Sequence, residues 1–184
     1  MSTLTRNTFC SYCGERYRDS SYPRTCSSCS TQIWANPIPV SVVLVPVVRS
    51  GRTGLLVVRR AIEPRKNLLA LVGGFLEEHE TWAEGGAREI REETNVAVDA
   101  AALTPFWFAS SEPNPNRVLL FSIAPPLDVA TLGPYERNAE TSERGLVFGP
   151  AGLDEVFAFP LHAEAARRFF ATLSIASEHH YIQV

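Results

Sequence analysis

Residues 73–96 read GGFLEEHETWAEGGAREIREETNV, and this stretch decides the fold because a pair of glycines, predicted to form a loop, leads into a segment rich in carboxylates. Five residues separate Gly74 from Glu80, and seven more separate Glu80 from Arg88. The full pattern is G-x5-E-x7-R-E-U-x-E-E-x-x-U, in which U is aliphatic. So many charged residues at fixed spacing behind a glycine pair indicate a site with a defined geometry.

A helix is predicted to begin near residue 81. Thr81 and Glu84 have the T-x-x-E spacing of a capping box, in which hydroxyl and carboxylate satisfy free backbone N–H groups of the first turn. Asn95 follows the last charged turn, where a left-handed residue usually ends a helix and Asn is the second choice after Gly. Gly85 and Gly86 each cost about 1 kcal/mol relative to Ala inside a helix, so close approach or compensating packing is expected there.

Three carboxylates of this helix are predicted to share one face. Glu89, Glu92 and Glu93 are spaced i, i+3 and i+4, which at roughly 100° per residue places them side by side. Hard divalent cations, which prefer oxygen ligands, relieve their repulsion most easily. The alternative is a solvated amphipathic helix, with Glu84 and Arg88 paired at i, i+4 and the other charges facing water. The complete set of spacings favours a magnesium or manganese site.

The whole segment resembles the Nudix box. The resemblance implies a hydrolase that uses two or three Mg²⁺ or Mn²⁺ ions to cleave a nucleoside diphosphate linked to a second group. Attack of water on phosphorus gathers negative charge on anionic oxygens, so bound cations supply the largest stabilisation. The groups expected to hold the ions are the side chains of Glu89, Glu92 and Glu93 and the carbonyl of Gly74.

Four further residues of the box are candidates for supporting or substrate contacts. Glu80 and Arg88 are expected to form a salt bridge that fixes the helix against the preceding segment and orients the ligands. Phe75 follows the two glycines directly and is a candidate for the substrate side. Glu77 is a candidate for an additional contact, and its alternative is an ordinary solvated surface residue.

One more carboxylate is expected from outside the box. Many Nudix enzymes place such a residue in a later loop, as metal ligand or general base, and Glu140 precedes a predicted strand at the corresponding place. The alternative is an exposed acidic turn in which Glu136 and Glu143 are equally available. Which carboxylate accepts the proton of the attacking water depends on geometry and shifted acidity and stays open.

The four cysteines form the second motif. Cys10 and Cys13 make one C-x2-C pair, and Cys26 and Cys29 make another after twelve intervening residues. Two such pairs are typical of a structural zinc site with four thiolates in a tetrahedron. Two disulfides are the alternative, but the N-terminus lacks the apolar core of a signal peptide, and a reducing compartment favours zinc.

The domain division follows from both motifs. Residues 1–36 are predicted to form a zinc ribbon and residues 37–184 a Nudix hydrolase domain, with Trp34, Asn36 and Pro37 at the junction. This order resembles bacterial and plant Nudix proteins that carry a zinc ribbon and an aromatic-x-Asn-Pro connection. NADH, FAD and ADP-ribose pyrophosphatases are activities near that branch. The resemblance implies the α/β class, an α/β/α sandwich with a mixed sheet.

Hydrophobic periodicity alone supports a mixed α/β class. A valine-rich run interrupted by Pro46 and a second apolar run after a Ser-Gly turn are predicted to form a hairpin. The four histidines carry no metal spacing and are predicted to be structural or exposed. The predicted strands cover residues 40–48, 54–59, 96–98, 103–109, 118–123 and 145–148, and the predicted C-terminal helix covers residues 162–173.

The substrate is indicated by a second, weaker motif. NADH pyrophosphatases carry S-Q-P-W-P-F-P-x-S after the box, and residues 111–116 read SEPNPN. Ser111, Pro113 and Pro115 keep the frame, but Gln, Trp and Phe are replaced by polar residues. ADP-ribose or FAD is therefore preferred to NADH. Phe106, Trp107 and Phe108 could stack on a base, or fill a core as alternating strand residues usually do.

Composition limits the remaining classes. The 184 residues carry a net charge of -3, with a pI of about 5.8, which argues against a general nucleic-acid binder. No run approaches the roughly 18 apolar residues of a membrane span, and a cytoplasmic protein is expected. A small nucleotide is the expected partner, cleavage of capped RNA stays open, and a homodimer is plausible. The alternative function is a non-catalytic Nudix-fold protein that binds nucleotide or RNA through the zinc ribbon.

Overall fold

The computed structural model describes residues 8–112, 116–173 and 180–184. The chain separates into two compact units, Met1–Pro37 and Ile38–Val184. None of the helices in the described ranges combines the length and apolar character needed to cross a membrane.

The first unit contains a small antiparallel sheet of β1 (Arg24–Thr25) and β2 (Gln32–Ile33). The second unit contains longer strands and three α-helices in its described part. Its strands are β3 (Ile38–Leu44), β4 (Pro46–Arg49), β5 (Arg52–Arg60), β6 (Leu69–Phe75), β7 (Thr104–Ser110), β8 (Arg117–Ile123), β9 (Leu127–Asp128), β10 (Thr141–Phe148) and β11 (His180–Gln183). Its helices are α1 (Trp82–Thr94), α2 (Leu153–Val156) and α3 (Pro160–Thr172).

The strands of the second unit form one mixed sheet. The order along it is β11-β10-β5-β6-β3-β8-β7, and β4 pairs with both β5 and β9. The pairs β3–β8 and β4–β9 are parallel, whereas the other pairs are antiparallel. The mixed sheet predicted from the sequence is therefore confirmed.

Two hydrophobic clusters occupy opposite faces of this sheet. Successive residues of a strand point to opposite faces. Accordingly, Val42 belongs to the same buried cluster as Phe170 of α3, and Val43 belongs to the same buried cluster as Ile90 of α1. All four side chains are 1% exposed or less. The helices α1 and α3 thus cover the two faces and complete an α/β/α sandwich.

The box helix begins and ends where the sequence predicts. Thr81 is the N-cap, its hydroxyl accepts from Glu84 N–H, and both halves of the capping box are formed. Asn95 ends the helix in the left-handed region with φ 61°. A Cβ on Gly86 would lie 2.8 Å from Val43 Cγ2. Close packing of α1 on the sheet therefore explains why a glycine occupies that turn.

Three sequence predictions are corrected by the strand pairing. The run 40–48 is not one hairpin strand, because it divides before Pro46, which has no N–H for ladder pairing. Its first part, β3, pairs with β6 and β8 in the middle of the sheet, and only β4 forms the hairpin with β5. Residues 96–98 form no strand. The glycine pair lies within β6 rather than in a loop.

His162 is a structural residue, as expected. Its side chain on α3 is 6% exposed, and its Nδ1 accepts a hydrogen bond of 3.2 Å from Leu71 N–H. Burial lowers its pKa to about 3. The imidazole is thus held neutral, because protonation would remove the acceptor that the Leu71 N–H requires.

The burial of His162 predicts loss of stability in acid. Between pH 6.5 and about 3, the unfolded chain takes up a proton on this residue and the folded protein does not. The free energy of unfolding should therefore decrease as the pH is lowered through this range, by up to about 1.4 kcal/mol per pH unit from this residue. His162→Asn keeps an acceptor without titrating, so urea unfolding at several pH values should give a shallower slope. His79→Asn, at an exposed position, should match the wild type. Equal slopes in wild type and His162→Asn would contradict the prediction.

Candidate active site and cysteine cluster

Two of the predicted ligands are buried against the glycine pair. Glu89 and Glu93 are 8% and 9% exposed. The Gly73 N–H donates a hydrogen bond of 3.0 Å to Glu93 Oε2. A Cβ on Gly74 would lie 2.3 Å from Glu89 Oε1. Gly74 is therefore required because the carboxylate of Glu89 lies directly against the backbone of β6, while Glu93 is held by the backbone N–H of Gly73.

The burial of these carboxylates shifts their acidity. The pKa of Glu93 is raised to about 8, mainly by burial. The hydrogen bond from the Gly73 N–H favours the ionised form and acts in the opposite direction. The negative charges of Glu89 and Glu140 raise it further. The pKa of Glu89 is also raised, first by burial, and the charges of Glu92 and Glu140 contribute. Glu140 therefore lies close enough to act on both buried carboxylates.

Arg88 connects the other charged residues of the box. Its Nε and Nη2 donate to the two oxygens of Glu80 at 3.0 and 2.7 Å. Its Nη1 donates to Glu89 at 2.8 Å and to Glu92 at 3.2 Å. Its Nη2 also donates to the Phe75 carbonyl at 3.1 Å. The pKa of Glu80 is lowered, mainly by the hydrogen bonds from Arg88. The guanidinium thus joins α1 to the end of β6.

The three acidic residues considered for the extra carboxylate have different surroundings. Glu143 accepts from Arg59 Nε at 2.7 Å, so its charge is already paired. Glu136 is tied through its N–H to Asn95 Oδ1 at 2.9 Å. Glu140 is the one among them whose charge acts on both Glu89 and Glu93. Hydrogen bonds support this placement, because the Glu140 N–H donates to Asn138 Oδ1 at 2.8 Å and Asn138 Nδ2 donates to the Glu92 carbonyl at 2.7 Å.

The substrate-side candidates lie in different surroundings. Phe75 is 53% exposed, and the guanidinium of Arg117 lies 5.7 Å from its ring centroid. The exposed Glu77 donates through its N–H to Glu80 Oε1 at 2.8 Å. Trp107 stacks on Phe121 at 5.0 Å between centroids and so belongs to the core edge. Pro113, Asn114 and Pro115 of the NADH-type frame lie outside the described residues.

The donor set of this site fits a hard cation. The two buried carboxylates of Glu89 and Glu93 and the neighbouring carboxylate of Glu140 repel one another when ionised. Oxygen ligands of this type suit Mg²⁺ or Mn²⁺. Arg88 holds Glu89 and Glu92, whereas the Gly73 N–H holds Glu93. Among the described residues, these glutamates are not drawn together as closely as the cysteines are. The ligands expected for the ions are the helix glutamates and Glu140.

Sequence reasoning missed Asn138 and Arg144. Asn138 Nδ2 donates to the Glu92 carbonyl at 2.7 Å. Arg144 is 2% exposed, and its Nη1 donates to the Thr94 carbonyl at 2.7 Å. A faint signal existed for Asn138, because Asn two residues before Glu140 is typical of an Asx turn. An arginine inside an apolar strand gave no indication of its partner.

The four cysteine sulfurs converge in the first unit. All four sulfurs lie within 4.8 Å of one another, with Cys10 and Cys29 at 3.8 Å and Cys13 and Cys26 at 3.6 Å. These distances exceed the roughly 2.05 Å of a disulfide, and the thiols are free. Zn–S bonds of about 2.3 Å in a tetrahedron separate sulfurs by about 3.8 Å. The cluster is therefore compatible with a zinc ribbon.

Comparison with known proteins supports the same fold. A NUDIX hydrolase from Nitrosomonas europaea is 23% identical with TM-score 0.65, over 94% of this chain and 96% of that one. The NUDIX domain of Shewanella oneidensis NrtR, complexed with ADP ribose, is 16% identical with TM-score 0.61, over 77% and 91%. A MutT/nudix family protein from Enterococcus faecalis is 17% identical with TM-score 0.55, over 64% of this chain but only 49% of that one.

The family itself is identified by sequence. The family model described as NUDIX domain matches residues 37–171 of this chain. This match covers more than half of the 184 residues. It includes the box, the glycine pair and Glu140. The chain therefore belongs to the NUDIX domain family.

Proposed function

We propose that this protein is a divalent-metal-dependent Nudix hydrolase that cleaves the diphosphate linkage of a nucleoside diphosphate derivative, with ADP-ribose or FAD preferred to NADH. One observation carries the proposal. Glu89 and Glu93 are buried side by side against Gly73 and Gly74, and the charge of Glu140 acts on both. Negative charges held this close together are costly unless cations compensate them.

The residues have separate roles in this proposal. Glu89, Glu92 and Glu93 hold two or three Mg²⁺ or Mn²⁺ ions, and Glu140 and the Gly74 carbonyl are further ligands. When bound, the ions supply positive charge against the phosphate oxygens and make the attacking water more acidic. Glu80 and Arg88 keep the helix in place.

Three observations support ADP-ribose or FAD as the substrate. Glu112, Asn114 and Asn116 stand where NADH pyrophosphatases carry Gln, Trp and Phe, so the aromatic contacts of that motif are missing. The NrtR domain with the same fold is complexed with ADP ribose. The exposed Phe75 beside Arg117 offers a flat surface for a base or ribose next to the proposed ion site.

Hydrolysis of ADP-ribose tests the proposal directly. The protein with Mg²⁺ or Mn²⁺ should release AMP from ADP-ribose and FAD faster than from NADH, NAD or a nucleoside triphosphate. Glu93→Gln should lower kcat about 100-fold, since it removes the charge of a buried ligand. Glu143→Gln is the matched control, because Glu143 pairs with Arg59, and it should keep the wild-type rate. The measurement is AMP formation by chromatography, with circular dichroism to confirm folding.

Two outcomes of that experiment would contradict the proposal. Wild-type turnover in Glu93→Gln would show that the assigned face holds no essential ion. Tight binding of ADP-ribose without formation of AMP would favour the non-catalytic alternative, in which the Nudix fold or the ribbon serves recognition alone. Calorimetric titration of ADP-ribose separates binding from turnover.

For the cysteine cluster, we propose one structural Zn²⁺ bound by Cys10, Cys13, Cys26 and Cys29. Elemental analysis after dialysis should give about one zinc per chain. Cys26→Ser should lose most of it, because Cys26 is buried within the cluster. Four thiolates close the tetrahedron, so the ion should have no open position for water. A folded sample with no zinc and no titratable thiols would instead establish two disulfides.

A further inference from the structure

Three of the four last carbonyl oxygens of α1 meet donors from the segment that carries Glu140. The last four carbonyl oxygens of a helix lack partners within it. Each of the four in α1 has a donor within hydrogen-bonding distance. The pairs are Arg91 O with Asn95 N at 2.9 Å, Glu92 O with Asn138 Nδ2 at 2.7 Å, Glu93 O with Thr141 Oγ1 at 3.3 Å, and Thr94 O with Arg144 Nη1 at 2.7 Å.

Asn138 is the residue that joins the two carboxylate-bearing segments. Its Nδ2 donates to the main chain of Glu92 at 2.7 Å. Its Oδ1 accepts from the N–H groups of Glu140 and Thr141, each at 2.8 Å. One side chain therefore sets the backbone of Glu140 relative to the backbone of Glu92.

Arg144 anchors the start of the same segment. Besides Thr94, it donates to the carbonyls of Leu132 at 3.2 Å and Gly133 at 2.8 Å. The ring centroid of Tyr135 lies 5.5 Å from its guanidinium carbon. A buried cation is favourable at a helix C-terminus, where the helix dipole is negative. Arg144 thus holds the two ends of the segment 132–144 together, and Asn138 fixes its middle.

We propose that Asn138 is a positioning residue that sets the carboxylate of Glu140 against those of Glu92 and Glu93. The inference rests on the proposed function, because it concerns the spacing of the carboxylates that would hold the ions. Without Asn138, the N–H groups of Glu140 and Thr141 lose their acceptor, and the Glu92 carbonyl loses its donor. Glu140 then keeps only the hydrogen bond of 2.7 Å from the Ala61 N–H to its carbonyl and the neighbouring contact of Thr141 Oγ1 with the Glu93 carbonyl, so it is held less firmly against the helix although its charge is unchanged.

Two variants separate the turn from its link to the helix. Asn138→Ala removes the hydrogen bonds of the turn and also the hydrogen bond to the Glu92 carbonyl. Asn138→Asp keeps acceptor oxygens for the N–H groups of Glu140 and Thr141 but places an oxygen against the Glu92 carbonyl instead of the Nδ2 donor. In both variants, the affinity for Mn²⁺ in the absence of substrate should decrease about tenfold. Electron paramagnetic resonance measures this binding. With ADP-ribose, kcat should fall about tenfold while KM changes less than about twofold.

The controls distinguish this inference from the proposed function. Asp128→Ala removes a similar bond, from Ala130 N–H to Asp128 Oδ1 at 2.8 Å, and should keep wild-type Mn²⁺ affinity and kcat. Glu93→Gln should lose both. Wild-type Mn²⁺ affinity and kcat in Asn138→Asp, while Glu93→Gln loses them, would overturn the role of Asn138 alone. A wild-type protein that neither binds Mn²⁺ nor hydrolyses ADP-ribose would overturn the proposed function with it. Circular dichroism identifies any variant that fails to fold, and Asn138→Asp then decides the question.

Discussion

The burial of two neighbouring carboxyl groups of one helix against a strand is the constraint on which the rest of this structure depends. Glu89 and Glu93 lie almost fully covered, and the pKa of Glu93 is raised to about 8, mainly by burial. One pKa unit corresponds to about 1.4 kcal/mol, so ionising this carboxyl in the folded protein costs several kcal/mol. That is a large share of the stability of an ordinary domain. The surrounding features make this burial geometrically and electrostatically tolerable.

The backbone makes room for the carboxylates. Gly73 has φ 154°, and a Cβ there would lie 2.3 Å from the Ser41 carbonyl oxygen, so a side chain is excluded by the neighbouring strand as well. On the other side of the contact, Gly86 lets α1 approach β3 closely. The strand order places β6 beside β3 under the helix. The same packing that forms the core therefore brings the glutamates onto the glycine backbone.

Local patterns were readable from the sequence, and long-range pairings were not. The capping box at Thr81, the left-handed Asn95 and the shared face of the helix glutamates follow from spacing within one helix. The run 40–48 looked like one strand because periodicity does not reveal which neighbour a strand takes, and it divides between two partners. The closure of α1 by Asn138 joins residues 46 positions apart. No local propensity encodes such a contact, so only the folded arrangement shows it.

The choice of glutamate at position 93 argues for an ion site over a simple recognition surface. A neutral amide there could accept the Gly73 hydrogen bond equally well, and it would avoid the desolvation of a charge. The charge is useful only where a cation is bound, because a cation converts the repulsion among Glu89, Glu93 and Glu140 into attraction. Arg88 supplies one positive charge, but it is shared among Glu80, Glu89 and Glu92. The excess of negative charge near the end of β6 therefore supports the proposed binding of divalent ions, which would also meet the anionic oxygens of a diphosphate.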